Sequence, residues 1–188
     1  MAFPGYSATM PADSPSRIEI RLRELAQLFN SMDPSPFIER DLDDDAEEFI
    51  VVWARELPPD REFELVLHLA TPPKPDRAAG VEAAVRHYFA NRAEMKRREF
   101  RLLLRLGRQS LTVGLLFLTA CLLLVQVVGA LGQSTAANVI KESLAIGGWV
   151  AMWRPLQIYL YDWWPLRAEL RVLERLARMR VHLDVAPA

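Results

Sequence analysis

The chain has 188 residues, 51% of them hydrophobic, with 23 Lys/Arg against 24 Asp/Glu and a net charge of −1. That length holds one modest soluble domain plus a small membrane part. A single cysteine, Cys121, excludes an intramolecular disulfide and a cysteine-based metal site.

The near-neutral total conceals a division. Residues 1–76 carry seven Lys/Arg against sixteen Asp/Glu, whereas residues 92–108 carry seven against two and residues 165–182 five against two. An acidic region is thus followed by two basic ones that flank the apolar part of the chain.

In chain order, residues 1–16 (MAFPGYSATMPADSPS) have neither a basic n-region nor an apolar h-region, so they are expected to be a disordered tail rather than a secretory signal. RIEIRL (17–22) alternates Ile18, Ile20 and Leu22 with charges, as a half-buried strand does. Ile18, Leu22, Leu25 and Phe29 also share a helical face, and Ser16 with Glu19 fits a capping box. The favoured assignment is a strand to Leu22 and a short helix RELAQLFN; an all-helical segment stays open.

MDPSPF (32–37) breaks any helix, because neither proline supplies an N–H. DLDDDAEEFIVVWAREL then predicts a helix with an acidic, dipole-complementing start and an apolar stripe of Phe49, Val52, Trp53 and Leu57, ended by Pro58-Pro59. EFELVLHL (62–69) predicts a strand with Phe63, Leu65, Leu67 and Leu69 on one face. Residues 17–70 are therefore expected to form a small acidic, cytoplasmic α+β domain, with TPPKPD (71–76) as a stiff linker.

From residue 77 a stalk helix is expected to run through 110 into a first transmembrane helix at 111–131, which contains no charged residue. Twenty-one helical residues extend about 31 Å, the thickness of a bilayer's hydrocarbon core. A short polar connector (132–138) forces the next apolar stretch, 139–164, to return antiparallel as a second membrane helix reaching the inner interface. Residues 165–180 form a basic helix with Leu166, Leu170, Leu173 and Leu176 as its stripe. VHLDV, within 181–188, alternates like a strand able to join the N-terminal sheet. The expected fold is an α+β membrane protein: a two-helix transmembrane hairpin, cytoplasmic helical extensions and a small α+β domain.

Lys and Arg set the orientation. Lys96, Arg97, Arg98, Arg101, Arg105 and Arg108 precede the first span, Arg167 and Arg171 follow the second, and the connector side offers only Lys141. Both termini are expected in the cytoplasm. These eight collar residues are candidates for contact with anionic lipid head groups, each contributing about 1 kcal/mol near the surface. Because topology alone explains the basic charge, it does not indicate nucleic acid.

No catalytic, cofactor-binding or metal-ligating constellation emerges. Asp41, Asp43 and Asp45 have the spacing that opens an EF-hand loop, but Ala46 stands where glycine is needed and Val52 where a bidentate glutamate belongs. His68, His87 and His182 are scattered, although the first and last lie on predicted strands of one sheet. No GxSxG, HExxH, GxGxxG or Walker-type loop is present. Cys121 suits a small packing position between helices.

Arg154 and Asp162 are the polar candidates of the second membrane segment, AMWRPLQIYLYDWWP. A span of 139–159 places Arg154 about 7–8 Å inside the cytoplasmic boundary. Asp162 is then about 12 Å along the axis, too far for direct pairing in a straight helix. A lipid phosphate or a neighbouring protomer becomes the expected partner. Pro155 kinks the helix, and Trp149, Trp153, Tyr159, Tyr161, Trp163 and Trp164 suit an interfacial belt.

With GGWVAMWRPLQIYLYDWWP and LFNSMDPSPFIERDLDDDAEEFIV in view, the chain resembles a family of small two-span bacterial inner-membrane proteins. The resemblance implies a bacterial inner membrane and carries over no activity or functional residue. The expected function is a non-enzymatic, oligomeric interaction or scaffold protein that meets a partner through its acidic domain. The alternative is a subunit of an oligomeric channel or transport system.

Overall fold

Alternating apolar and charged residues become three strands in the computed structural model, which describes residues 16–58, 61–132 and 134–185. The expected N-terminal tail, apart from Ser16, and the last residues of the chain lie outside the described residues. The chain divides into two compact units, Met1–Glu94 with Arg171–Ala188, and Met95–Leu170. It is mostly helical, with one small sheet.

In the first unit, β1 (Ser16–Leu22), β2 (Phe63–Leu69) and β3 (Arg180–Val185) form a sheet of order β1-β2-β3. Both pairings are parallel, with Ile18 opposite Leu65 and Leu65 opposite Val181. Parallel neighbours need crossovers rather than tight turns. The first crossover contains α1 (Asp44–Glu56), and the second comprises everything from residue 70 to 179. One face of the sheet is apolar: Ile18, Phe63, Leu65, Leu67 and Leu69 are buried. Val81, Ala84, Val85, Phe89, Leu173, Leu176 and Met179 supply the rest of this core. The strand assignment of residues 17–22 holds over the helical one, because Ser16 N donates to Glu62 O at 2.9 Å and starts the ladder. The short helix after it is a 3-10 turn, Leu25–Leu28.

The MDPSPF break closes on itself. Asp33 accepts backbone hydrogen bonds from Asp41 N at 2.7 Å and Ser35 N at 2.9 Å. These bonds hold its carboxyl below the usual carboxylate range. Arg175 fixes the entry to β2: its Nη2 donates to Pro58 O at 2.8 Å and Arg61 O at 2.5 Å, and its guanidinium lies 3.8 Å from the Phe63 ring centroid.

The face of α1 corrects the sequence expectation. Asp43 caps the helix by accepting from Asp45 N, but the buried residues are Ile50 (0% exposed) and Ala54 (1%). Phe49, Val52 and Trp53, three of the four residues of the expected stripe, are 41%, 44% and 46% exposed, and Leu57 is half-buried. The cause is Glu47. Tyr88 Oη donates to Glu47 Oε2 at 2.5 Å and Arg92 Nη2 meets its other oxygen at 2.6 Å. That grip turns the 47/50/54 face inward, since positions three and seven apart share one helical face.

The second unit contains most of α2 (Pro75–Leu131), then α3 (Thr135–Ala151), α4 (Trp153–Gln157), a π-helical turn (Ile158–Asp162) and the start of α5 (Trp163–Leu176). Ser134 caps α3 by accepting from Ala137 N at 3.2 Å. Pro155 has no N–H to offer the Ala151 carbonyl, and the helix breaks at Met152 just before it.

Within this unit the two helical stretches lie antiparallel. Gly129 approaches Lys141, Gly148 approaches Cys121, Gly114 approaches Ala151 and Gly107 approaches Ile158. Lys96 Nζ is 3.1 Å from Glu169 Oε2 at the far end of the series. Glycine is needed where the approach is closest: a Cβ on Gly148 would sit 2.8 Å from Leu118 Cδ1, and one on Gly107 2.9 Å from Ile158 Cγ2. Cys121 is buried against Gly148, as a packing residue would be. Among the described residues one helix, α2, is long and apolar enough to cross a membrane, and only 11% of its most apolar stretch is buried within the protein.

Candidate functional site

The second unit places Arg154 in a defined setting. Helix α2 supplies Ser110, Val113, Gly114 and Phe117, and the opposite stretch supplies Ala151, Arg154 and Pro155, around an open notch of about 360 Å³. The notch exists because Gly114 has no side chain and Pro155 breaks the helix across from it. A Cβ on Gly114 would sit 3.0 Å from Ala151 O and 3.5 Å from Pro155 Cγ. The walls are apolar, and Ser110 turns its hydroxyl back to donate to Gly107 O at 3.0 Å. Arg154 is therefore the polar donor at this site.

Arg154 and Asp162 are brought together, contrary to expectation: Nη1 lies 3.5 Å from Oδ2. The expected 12 Å separation assumed a straight α-helix. The break at Met152 and the π-helical turn at Ile158–Asp162 alter the path between the two residues. Asp162 also leans back toward the helix N-terminus, as helical side chains do. No hydrogen bond joins the five N–H donors of Arg154 to another described residue. Its side chain stays about half exposed.

The aromatic belt divides. Trp149, Trp153, Tyr161 and Trp164 are exposed. Tyr159 instead packs against Gly107, and the Trp163 indole donates to Tyr159 O at 2.8 Å. Among the collar residues, Lys96 is held by Glu99 at 2.9 Å and by Glu169. The bond to Glu99 raises its pKa most; burial opposes the rise, and Glu169 adds to it. Arg167 lies 5.8 Å from the Trp163 ring centroid, and Arg101 Nε donates to Arg97 O at 3.4 Å. Arg98, Arg105, Arg108 and Arg171 are exposed.

Two surfaces of the first unit went unrecognised in the sequence. On α1, Phe49, Val52 and Trp53 line a shallow groove with Asp45 and Glu48, and the Phe49 and Trp53 rings are 5.9 Å apart. The open face of the sheet carries cross-strand polar contacts. His68 lies between Asp184 at 2.9 Å and Glu19 at 3.4 Å, and Glu64 between Arg17 at 2.8 Å and His182 at 2.9 Å. His68 and His182 thus sit on neighbouring strands with different partners. The signal for this face was the polar alternation in RIEIRL and RVHLDV, which becomes a surface only once the strands align in parallel.

The acidic run divides as well: Asp43 caps α1, Glu47 is gripped by Tyr88 and Arg92, and Asp45 and Glu48 border the groove. Among the described residues, no group of three His, Cys, Asp or Glu side chains could hold a metal ion. No family model, curated protein or solved structure matches this chain.

Proposed function

We propose that the chain is a two-pass protein of a bacterial inner membrane that holds a non-enzymatic interaction domain on the cytoplasmic face. The observation that carries this is the pairing of β3 with β2. β2 precedes the apolar helix α2 and β3 follows the return helices, yet both lie in one sheet. Strands on opposite sides of a membrane cannot pair, so the chain must cross an even number of times. With α2 as one span, α3 and α4 supply the return, and the glycine contacts of the second unit describe its packing. The basic residues in α2 ahead of its uncharged stretch and those after the return then fall on one side, the cytoplasmic side by the positive-inside rule.

The resemblance to small two-span bacterial proteins points the same way. The interaction surface is the groove of α1, where exposed Phe49, Val52 and Trp53 stand among carboxylates. Exposed aromatics of this kind are characteristic of contact surfaces. In living cells, a photo-crosslinking residue at Val52 should give a discrete adduct, either with a second copy or with another protein. The same probe at Arg21, on the charged sheet face, should give far less. Equal labelling at the two positions, or none at Val52, would remove the groove from this account.

A further inference from the structure

The notch beside Arg154 has the composition of a lipid site, and we infer that it binds one anionic phospholipid of the inner leaflet, phosphate on Arg154 and acyl chain between Gly114 and Pro155. This inference rests on the two-pass reading. Its volume, about 360 Å³, falls within the roughly 300–1,000 Å³ of small-molecule sites. Val113, Phe117, Ala151 and Pro155 offer an apolar wall that hydrocarbon can cover without leaving a polar group unpaired.

The guanidinium at the mouth matches phosphate in geometry as well as charge. Its fork donates two parallel N–H bonds to one phosphate, from Nε and Nη2, while Nη1 faces Asp162 at 3.5 Å. Asp162 at 3.5 Å leaves most of the fork available and fixes the side chain toward the cytoplasmic end of the notch. Depth also agrees, since the notch is lined from Ser110 to Phe117, at the start of the uncharged stretch of α2. A second protein helix is a poorer occupant: it would have to bury the half-exposed Arg154–Asp162 pair. A phospholipid leaves that pair at the wet head-group level and offers its phosphate to the donors that Asp162 does not face. The exposed Arg105 and Arg108 on the same helix favour an anionic head group over a zwitterionic one.

The test uses full-length protein reconstituted in nanodiscs of phosphatidylcholine with one-fifth phosphatidylglycerol, then released for native mass spectrometry. Wild type should retain one phosphatidylglycerol per chain. Arg154→Gln should lower that occupancy at least fivefold. Arg108→Gln, which removes the same charge outside the notch, should leave it within twofold. Equal loss in the two variants would reduce the effect to the general field of the collar and overturn the site, as would equal retention of phosphatidylcholine.

Should Arg154→Gln fail to fold, phosphatidylglycerol with a photoreactive acyl chain answers in the wild type. Adducts should concentrate at Val113, Phe117 and Ala151, and adducts spread evenly along α2 would contradict the site. Inorganic phosphate at millimolar concentration should not displace the lipid, and displacement would assign Arg154 to free phosphate instead. Protein that does not float with liposomes at all overturns the two-pass reading, and this one with it. Protein that floats but retains no lipid overturns the notch alone.

Discussion

Replacing Glu47 by alanine should destabilise the first unit by about 2–3 kcal/mol, the cost of leaving a buried phenol without its acceptor and of removing the Arg92–Glu47 contact. Glu47 is only 13% exposed at its side chain, and it is the point where Tyr88 and Arg92 of α2 hold α1 in rotation. The exposure of Arg92 lowers the figure from that of a fully buried pair. Urea unfolding of the full-length protein in detergent micelles, with hydrogen exchange along α1, measures the effect. Glu47→Gln keeps an acceptor for Tyr88 and should cost less. A cost for Glu47→Ala under about 0.5 kcal/mol, the range of an ordinary surface substitution, would mean that the grip does not set the face of α1.

The same contact predicts an alkaline limit. Burial, and after it the hydrogen bond to Glu47, push the Tyr88 phenol well above its ordinary value. The folded protein then keeps a proton that the unfolded chain releases above about pH 10. The stabilisation is complete below that pH and is lost progressively as pH rises past it. Wild type should therefore lose stability more steeply above pH 10 than Tyr88→Phe, and parallel slopes would contradict the assignment.

Gly148→Leu should force the two helices of the second unit apart and cost about 1–3 kcal/mol, as overpacking does. Its Cβ would meet Leu118 Cδ1 at 2.8 Å and Cys121 Cβ at 3.3 Å, whereas a Cβ on the adjacent Gly147 would meet nothing within 4 Å. Gly147→Leu should therefore be neutral or stabilising by up to about 1 kcal/mol, the helix-propensity gain. Thermal unfolding in micelles separates the two. The pair also offers a chemical readout, because the Cβ of Gly148→Cys lies close to the roughly 3.5–4.5 Å range of disulfides with Cys121. Mild oxidation should consume both thiols in Gly148→Cys and spare them in Gly147→Cys. Equal behaviour of the two glycines would refute the packing.

Much of the first unit was legible because its strands alternate cleanly, and β2 buries Phe63, Leu65, Leu67 and Leu69 as the alternation requires. The direction of pairing was not legible: the long connections between strands permit either sense. The face of α1 was not legible because hydrophobicity alone favours Phe49, Val52 and Trp53, and nothing in the acidic helix start marks Glu47 as buried. Its partners, Tyr88 and Arg92, lie about forty residues away. Arg154 stood out from its sequence context, but its pairing with Asp162 depended on a helix break and a π-helical turn. The notch itself needed Gly114 opposite Pro155, a juxtaposition that only packing supplies.

In the proposed topology two membrane crossings return β3 to the side of β2. In a Cys121→Ala background, single cysteines at Asp76, Ser134 and Arg178 report the sidedness of the chain before, between and after those crossings. A membrane-impermeant maleimide added to intact spheroplasts should label Ser134→Cys alone. Asp76→Cys and Arg178→Cys should label only after permeabilisation. Labelling of Asp76→Cys and Arg178→Cys from opposite sides would contradict the account, because β3 could not then reach β2.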